Sequence, residues 1–250
     1  MSRLAASSLF LALCLPLLAA TPANQLVVSG NACGPTALLN AFRFGNKDWQ
    51  RASAAIAGET DKQRIYTIIR ESGMRPSAHF TSRPRWSRKG VNIADLRDMA
   101  NELTRGHFLP QMSQEVFFLK PGESQENLLR RAHQRLATSL KKGLPPIVSL
   151  RRYTRRGGQW IVLDAHFVTL TALPAKLDKG SRAFPVSYID PWGGKLCQGS
   201  IAIAERAILA DQPAGTPCLE AVFTQASVGK KLSRPGEPGG LTLAAALGRW

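Results

Sequence analysis

The sequence predicts an α+β domain. Apolar residues recur with helical spacing through the first half of the chain, and Pro-bounded, β-branched runs replace them from "LPPIVSLRRY" at residue 144 onward. Helices first and a sheet second is the order of a segregated α+β fold. At 250 residues the chain has room for one domain with a substantial core and too little for two full-sized ones.

Residues 1–20 read as a secretory signal, with Arg3 as the positive start, Leu4 to Leu18 as the apolar stretch and Ala19 and Ala20 as the small residues before cleavage. Cleavage is expected between about residues 20 and 23. Pro16 and the shortness of the run argue against an uncleaved membrane anchor, which needs roughly 20 apolar residues. The expected organisation is a domain over 24–228 and a Pro/Gly-containing tail over 229–250, secreted or periplasmic.

Within the domain, Leu38, Ala41 and Phe42 mark a helix that starts near Cys33, carries Pro35 in its first turn and stops at Gly45. A second helix is expected after Asp48, and a third over "KQRIYTIIRES" (62–72) before Gly73. "NIADLRDMANEL" (92–103) opens with Asn92 as N-cap. The longest helix is expected over 124–142, where Ser124 caps, Leu128, Ala132, Leu136 and Leu140 share a face, and Gly143 ends the run. Strands follow over 147–153, over "QWIVLDAHFVTLTAL" (159–173) and over "FPVSYID" (184–190). Residues 197–228 read as a further strand or helix pair, and "RPGEPGG" (234–240) reads as a linker before a short apolar tail, Leu241 to Trp250.

Lysine and arginine total 33 against 17 acidic residues, a formal net charge of +16 that falls by one when Arg3 leaves with the signal. Such a field favours anionic partners, among them acidic substrates and cell-envelope polymers, and makes the association salt-sensitive. Export argues against nucleic acid as the target, and the basic clusters "RPRWSRK" (83–89) and "RRYTRR" (151–156) carry no nucleic-acid motif; solvated loops are their simplest reading. There is no P-loop, no internal repeat, and no C-x-x-C or H-E-x-x-H, so no cofactor or metal is expected.

Outside the signal the cysteines are Cys33, Cys197 and Cys218. Three cannot all pair in an oxidising compartment; a disulfide between Cys197 and Cys218, which lie beside turn residues Gly199 and Pro217, leaves Cys33 free. At a helix start, unpaired backbone N–H groups and the positive end of the helix dipole stabilise a thiolate, the nucleophilic form. Nucleophilic chemistry then needs a base and a group that orients it.

His79 and His107 fall in loops and His133 on an Arg-rich helix, where solvated surface roles are expected. His166 sits in an apolar strand, where it reads either as a core histidine or as a base that meets Cys33 only through folding. If 160–172 and 186–190 pair as an antiparallel hairpin, opposed residue numbers sum to about 358, which places Asp190 one diagonal step from His166 on the same face. Asp164 shares that face and competes for the same role, although an arginine partner is its other reading.

Four segments in order, "NACGPTALLNAF", "LPPIVSL", "DAHFVTL" and "YIDPWGG", resemble the papain-like cysteine peptidases, in particular the bacteriocin-processing double-glycine peptidases and their stand-alone relatives. The resemblance covers roughly residues 24–195. It implies a nucleophile helix packed on a C-terminal antiparallel sheet, with Cys33 as nucleophile, His166 as general base and then acid, Asp190 as the group that fixes the imidazole and Trp192 covering that pair. Members of the family carry a Gln six residues before the Cys, a position occupied here by Val27. Gln25 is therefore the candidate oxyanion donor, with a solvent-exposed role as its alternative.

The expected activity is hydrolysis of a peptide or related amide bond through a thioester acyl-enzyme. Two alternatives stand beside it: an acyl or peptidyl transferase on the same thioester, and a non-catalytic binder of anionic envelope polymers. Peptide or protein is the expected partner in the first two. The sequence is silent on oligomeric state.

Overall fold

A computed structural model describes residues 20–204, 219–226 and 228–250. The expected signal, apart from Ala20, and Cys218 lie outside these residues.

The first helix, α1 (Cys33–Arg43), is buried on every side from Cys33 to Phe42, as its apolar composition requires. Around it lie α2 (Lys47–Ala55), α3 (Asp61–Ile68), a single π turn over Ile69–Gly73, and α4 (Ile93–Thr104). Their starts are set by side chains that satisfy first-turn N–H groups: Asn46 for α2, a Thr60–Gln63 capping box for α3 and Asn92 for α4. The last helix, α5 (Gln125–Lys141), is capped by Ser124 and ends before Gly143 at φ +79°.

A small hairpin, β1 (Trp86–Ser87) and β2 (Gly90–Val91), sits between α3 and α4 in sequence. The main sheet contains β3 (Ser113–Val116), β4 (Ile147–Arg156), β5 (Gln159–Ala172), β6 (Ala183–Asp190), β7 (Lys195–Ile203), β8 (Leu219–Val222) and β9 (Gly239–Gly248). Every pairing is antiparallel, in the order β3-β9-β4-β5-β6-β7-β8. β8 also meets β9 at Glu220 and Thr242, which closes β4 to β9 into a six-stranded barrel and leaves β3 outside on β9. The protein is thus α+β, with N-terminal helices packed against a C-terminal antiparallel barrel. No helix among the described residues is long and apolar enough to cross a membrane.

Two apolar clusters organise the packing. One joins α5 to the barrel strands through Leu128, Leu136, Val168, Tyr188 and Ile201. The other joins α1 to α4 and meets the barrel at Ile147, Phe167 and Leu247. Between helix and barrel, Thr169 Oγ1 donates to Ala37 O at 2.9 Å, so β5 is pinned to α1.

One expectation is corrected. The segment read as a tail supplies β9, an inner strand between β3 and β4 that is buried on both faces. Its sequence, "GGLTLAAALG", is rich in alanine and carries little β propensity of its own; its small side chains fit a strand covered on both sides. The antiparallel sheet closes into a barrel through a contact between β8 and β9 that no local pattern records. The expected pairing of Cys197 with Cys218 involves a residue outside the described ones; Cys197 is a buried free thiol on β7, directly opposite Tyr188.

Candidate active site

Cys33 is the first residue of α1 and carries a free thiol, 3 % exposed. Ala32, at the N-cap, offers no side-chain hydrogen bond. The first-turn N–H groups of a helix have no intrahelical acceptor, and here the cap leaves them without a side-chain partner. Gly34 follows because there is no room for anything larger: a Cβ at this position lies 2.4 Å from Val91 Cγ1. The β1–β2 hairpin therefore packs directly on the helix start, where Trp86 Nε1 donates to Asn31 O and Asn31 N donates to Arg88 O.

His166 lies on β5 opposite Leu150 of β4. On its other side β5 pairs with β6 as Thr169↔Ile189 and Leu170↔Tyr188, the register expected from the sequence. That register brings the end of β6 beside His166, and His166 Nε2 donates to Asp190 Oδ1 at 2.8 Å. Both groups are buried, and the same carboxylate oxygen also accepts Trp192 N at 2.9 Å. The Cys33 thiol is close enough to the ring to act on its charge. With Nε2 committed to Asp190, Nδ1 is the nitrogen left to face the thiol.

Burial alone lowers the affinity of an imidazole for a proton. Here the hydrogen bonds to Asp190 and Cys33, together with their charge, outweigh burial and push His166 up to about 10. The site therefore favours the imidazolium over most of the working pH range.

Gln25 opens a short 3₁₀ turn (Gln25–Val27), and its N–H donates to Pro191 O at 2.8 Å. Its side chain is 3 % exposed, lines the same cleft as His166 and leaves Oε1 without a partner. The solvent-exposed alternative for Gln25 is excluded; Val27 is the exposed one. Behind the turn, Asn24 Oδ1 accepts Gly193 N, and Asn40 of α1 bonds both the N–H and the C=O of Ala23. Gly194, at φ +61°, lets this strap pass, since a Cβ there lies 2.9 Å from Pro22 O.

The cleft has a volume of about 720 Å³ and is lined by His166, Asp190, Gln25, Asn31 and the half-exposed Trp192, among others. Asp164 also borders it but does not bond His166: its carboxylate accepts Ala165 N and Gly229 N at 2.8 and 2.9 Å. It also faces Arg152, whose burial pulls the guanidinium down against the pull of Asp164.

Of the other histidines, His107 is exposed, whereas His133 is buried and corrects the surface expectation. Its Nε2 lies 2.8 Å from Pro174 O and its ring packs edge-on against Phe184, so it is a core residue. Its signal was present in the helix period, since Leu129, His133 and Leu136 share a face. His79 bonds Asp98 at 2.9 Å. With Asp95 these residues bring three potential ligand atoms within 4.8 Å of one another, but Arg83 and Arg97 lie on the two carboxylates. That cluster is an ion-pair network already supplied with cations.

Three basic residues escaped attention as site residues: Arg88, Lys230 and Lys231 line the cleft. The first belongs to a basic run and the other two to the presumed tail, so nothing local joined them. No family model, curated protein or solved structure matches this chain.

Proposed function

We propose that the chain is a papain-like cysteine hydrolase, exported from the cell, that cleaves a peptide or related amide bond through a thioester acyl-enzyme. One observation carries the reading: a buried imidazole, His166, is held by Asp190 at 2.8 Å and is acted on by the thiol at the start of a buried helix.

In this mechanism Cys33 Sγ attacks the carbonyl carbon, and the tetrahedral oxyanion is received by the Cys33 N–H and the Gln25 amide. The His166 imidazolium gives its proton to the departing amine as the C–N bond breaks, leaving a thioester. Water then attacks the thioester, His166 accepts its proton, the C–S bond breaks and the acid leaves. Asp190 fixes the ring throughout and balances its charge. Burial of the Cys33–His166–Asp190 array keeps these interactions strong by excluding water.

The test is alkylation of the native protein by iodoacetamide, with the modified residue mapped by peptide mass. Stoichiometric labelling at Cys33 well below pH 8, lost to about the rate of a free thiol in His166→Ala, supports the reading. Sluggish labelling of the wild-type protein over the same range overturns it.

A further inference from the structure

The cleft is bordered by cations that its own carboxylates do not neutralise. Arg88 stands on the wall made by the β1–β2 hairpin, and Lys230 and Lys231 on the wall made by the turn that follows Gly229; all three are exposed. The two acids of the cleft are committed elsewhere, Asp190 to His166 and Trp192 N, and Asp164 to two backbone N–H groups. The Lys230 ammonium donates to Thr224 O at 2.7 Å, which fixes its position without cancelling its charge.

Both cationic walls are fastened to the segments that carry the reactive groups. Arg88 O accepts the N–H of Asn31, two residues before Cys33, and Trp86 Nε1 donates to Asn31 O. Across the cleft, Asp164, two residues before His166, holds Gly229 N, while the Arg152 guanidinium holds Val228 O. The backbone that carries these cations is thus anchored to the segments holding thiol and imidazole.

We propose that this cleft selects peptide substrates carrying carboxylate side chains on the residues that flank the scissile bond, received between Arg88 and the Lys230–Lys231 pair. The inference rests on the hydrolase reading above and names its substrate class. A low-dielectric cleft wall strengthens such attraction relative to open surface, and added salt weakens it.

The experiment compares three sets of quenched fluorogenic peptides, identical except for Glu, Ala or Lys at the flanking positions. They are cleaved by the wild-type protein and by Arg88→Glu/Lys231→Glu, at low salt and at high salt. The expected result is a kcat/KM for the Glu set about tenfold above the Ala set, shrinking at high salt and inverted in favour of Lys in the charge-reversed protein. A parallel binding arm uses anisotropy of labelled Glu, Ala and Lys peptides with Cys33→Ala, which removes the chemistry and keeps the walls.

Equal values for the three sets, or a Glu preference that survives charge reversal, overturn the proposal while Cys33 labelling leaves the hydrolase reading intact. If no set is cleaved and Cys33 resists alkylation, the hydrolase reading fails. The binding arm then decides alone, and equal affinity for Glu and Ala peptides ends the proposal. Circular dichroism of the charge-reversed protein, with Arg88→Gln/Lys231→Gln as the milder pair, separates lost selection from lost folding.

Discussion

His166 and Asp190 are 24 positions apart and meet at 2.8 Å because the register of β5 on β6 leaves the end of one strand beside the other. Asp164 is only two residues from His166, yet it turns to Gly229 instead. The two carboxylates therefore separate by experiment. Asp190→Ala is expected to lower kcat/KM by roughly 10³- to 10⁴-fold, because the imidazole loses its orientation and its counter-charge. Asp164→Ala is expected to loosen the Lys230–Lys231 turn and change peptide selection while Cys33 still alkylates rapidly. Equal losses in alkylation rate from the two substitutions would contradict this division.

The folded protein holds His166 at about 10, above the ordinary histidine value of 6.5. A group raised on folding binds its proton more tightly in the native state, so its contribution is complete below about pH 6.5 and is lost as pH rises through about 10. Urea unfolding of wild type and His166→Ala is expected to show a stability difference that shrinks from pH 6 to pH 10, by on the order of a few kcal/mol. Titrating groups that do not interact with His166 cancel in that difference. A gap independent of pH contradicts the assigned direction. Because Cys33 contributes to the shift, Cys33→Ala should bring the decline to lower pH.

The Gln25 side chain is buried and lines the cleft, and its Nε2 group is the donor that a substrate oxyanion would require. Gln25→Ala is expected to reduce kcat by roughly 10²- to 10³-fold, the effect of losing one oxyanion donor. Alkylation of Cys33 by iodoacetamide, which forms no oxyanion, should remain close to wild type. Parallel loss of both would show that Gln25 supports the fold and not the transition state.

How much of this was legible in the sequence follows from what each feature depends on. Asn92 and Ser124 cap as expected because a cap is settled within four residues. The β5–β6 register was readable because two apolar runs flank one loop. Barrel closure was hidden, since it joins Glu220 to Thr242 and neither residue's neighbourhood marks the contact. Arg88 and Lys231 could not be linked either, because only the folded chain sets hairpin and turn across one cleft. His133 was misjudged on composition, the arginines of α5 masking its inward face.

Gly34 makes the nucleophile helix compatible with the hairpin that covers its start, since a Cβ there lies 2.4 Å from Val91 Cγ1. Gly34→Ala is expected to cost about 1–3 kcal/mol through overpacking and to slow Cys33 alkylation as the helix start shifts. Val91→Ala in the same chain should recover most of the loss, because the offending methyl is gone. Failure of the second substitution to restore stability, measured by thermal unfolding, would mean that backbone strain and not Val91 excludes a side chain here.

The last strand decides whether residues 229–250 are a tail or part of the domain. β9 pairs with β4 from Ile147↔Leu247 to Thr154↔Gly239 and with β3 on its other side. Ending the chain at residue 238 therefore exposes one edge of β4, strands β3 and breaks the barrel next to the strand that supports His166. An unpaired edge of this length also invites association between chains. The truncated protein is expected to lose cooperative unfolding and to aggregate, with Cys33 alkylating at the rate of an unfolded thiol. Leu243→Ala, a change confined to the core at the same strand, should cost about 2–5 kcal/mol and leave folding cooperative. A truncated chain that melts like the full one and labels as fast at Cys33 would show that the barrel closes without β9, and would remove the structural support assigned to the site.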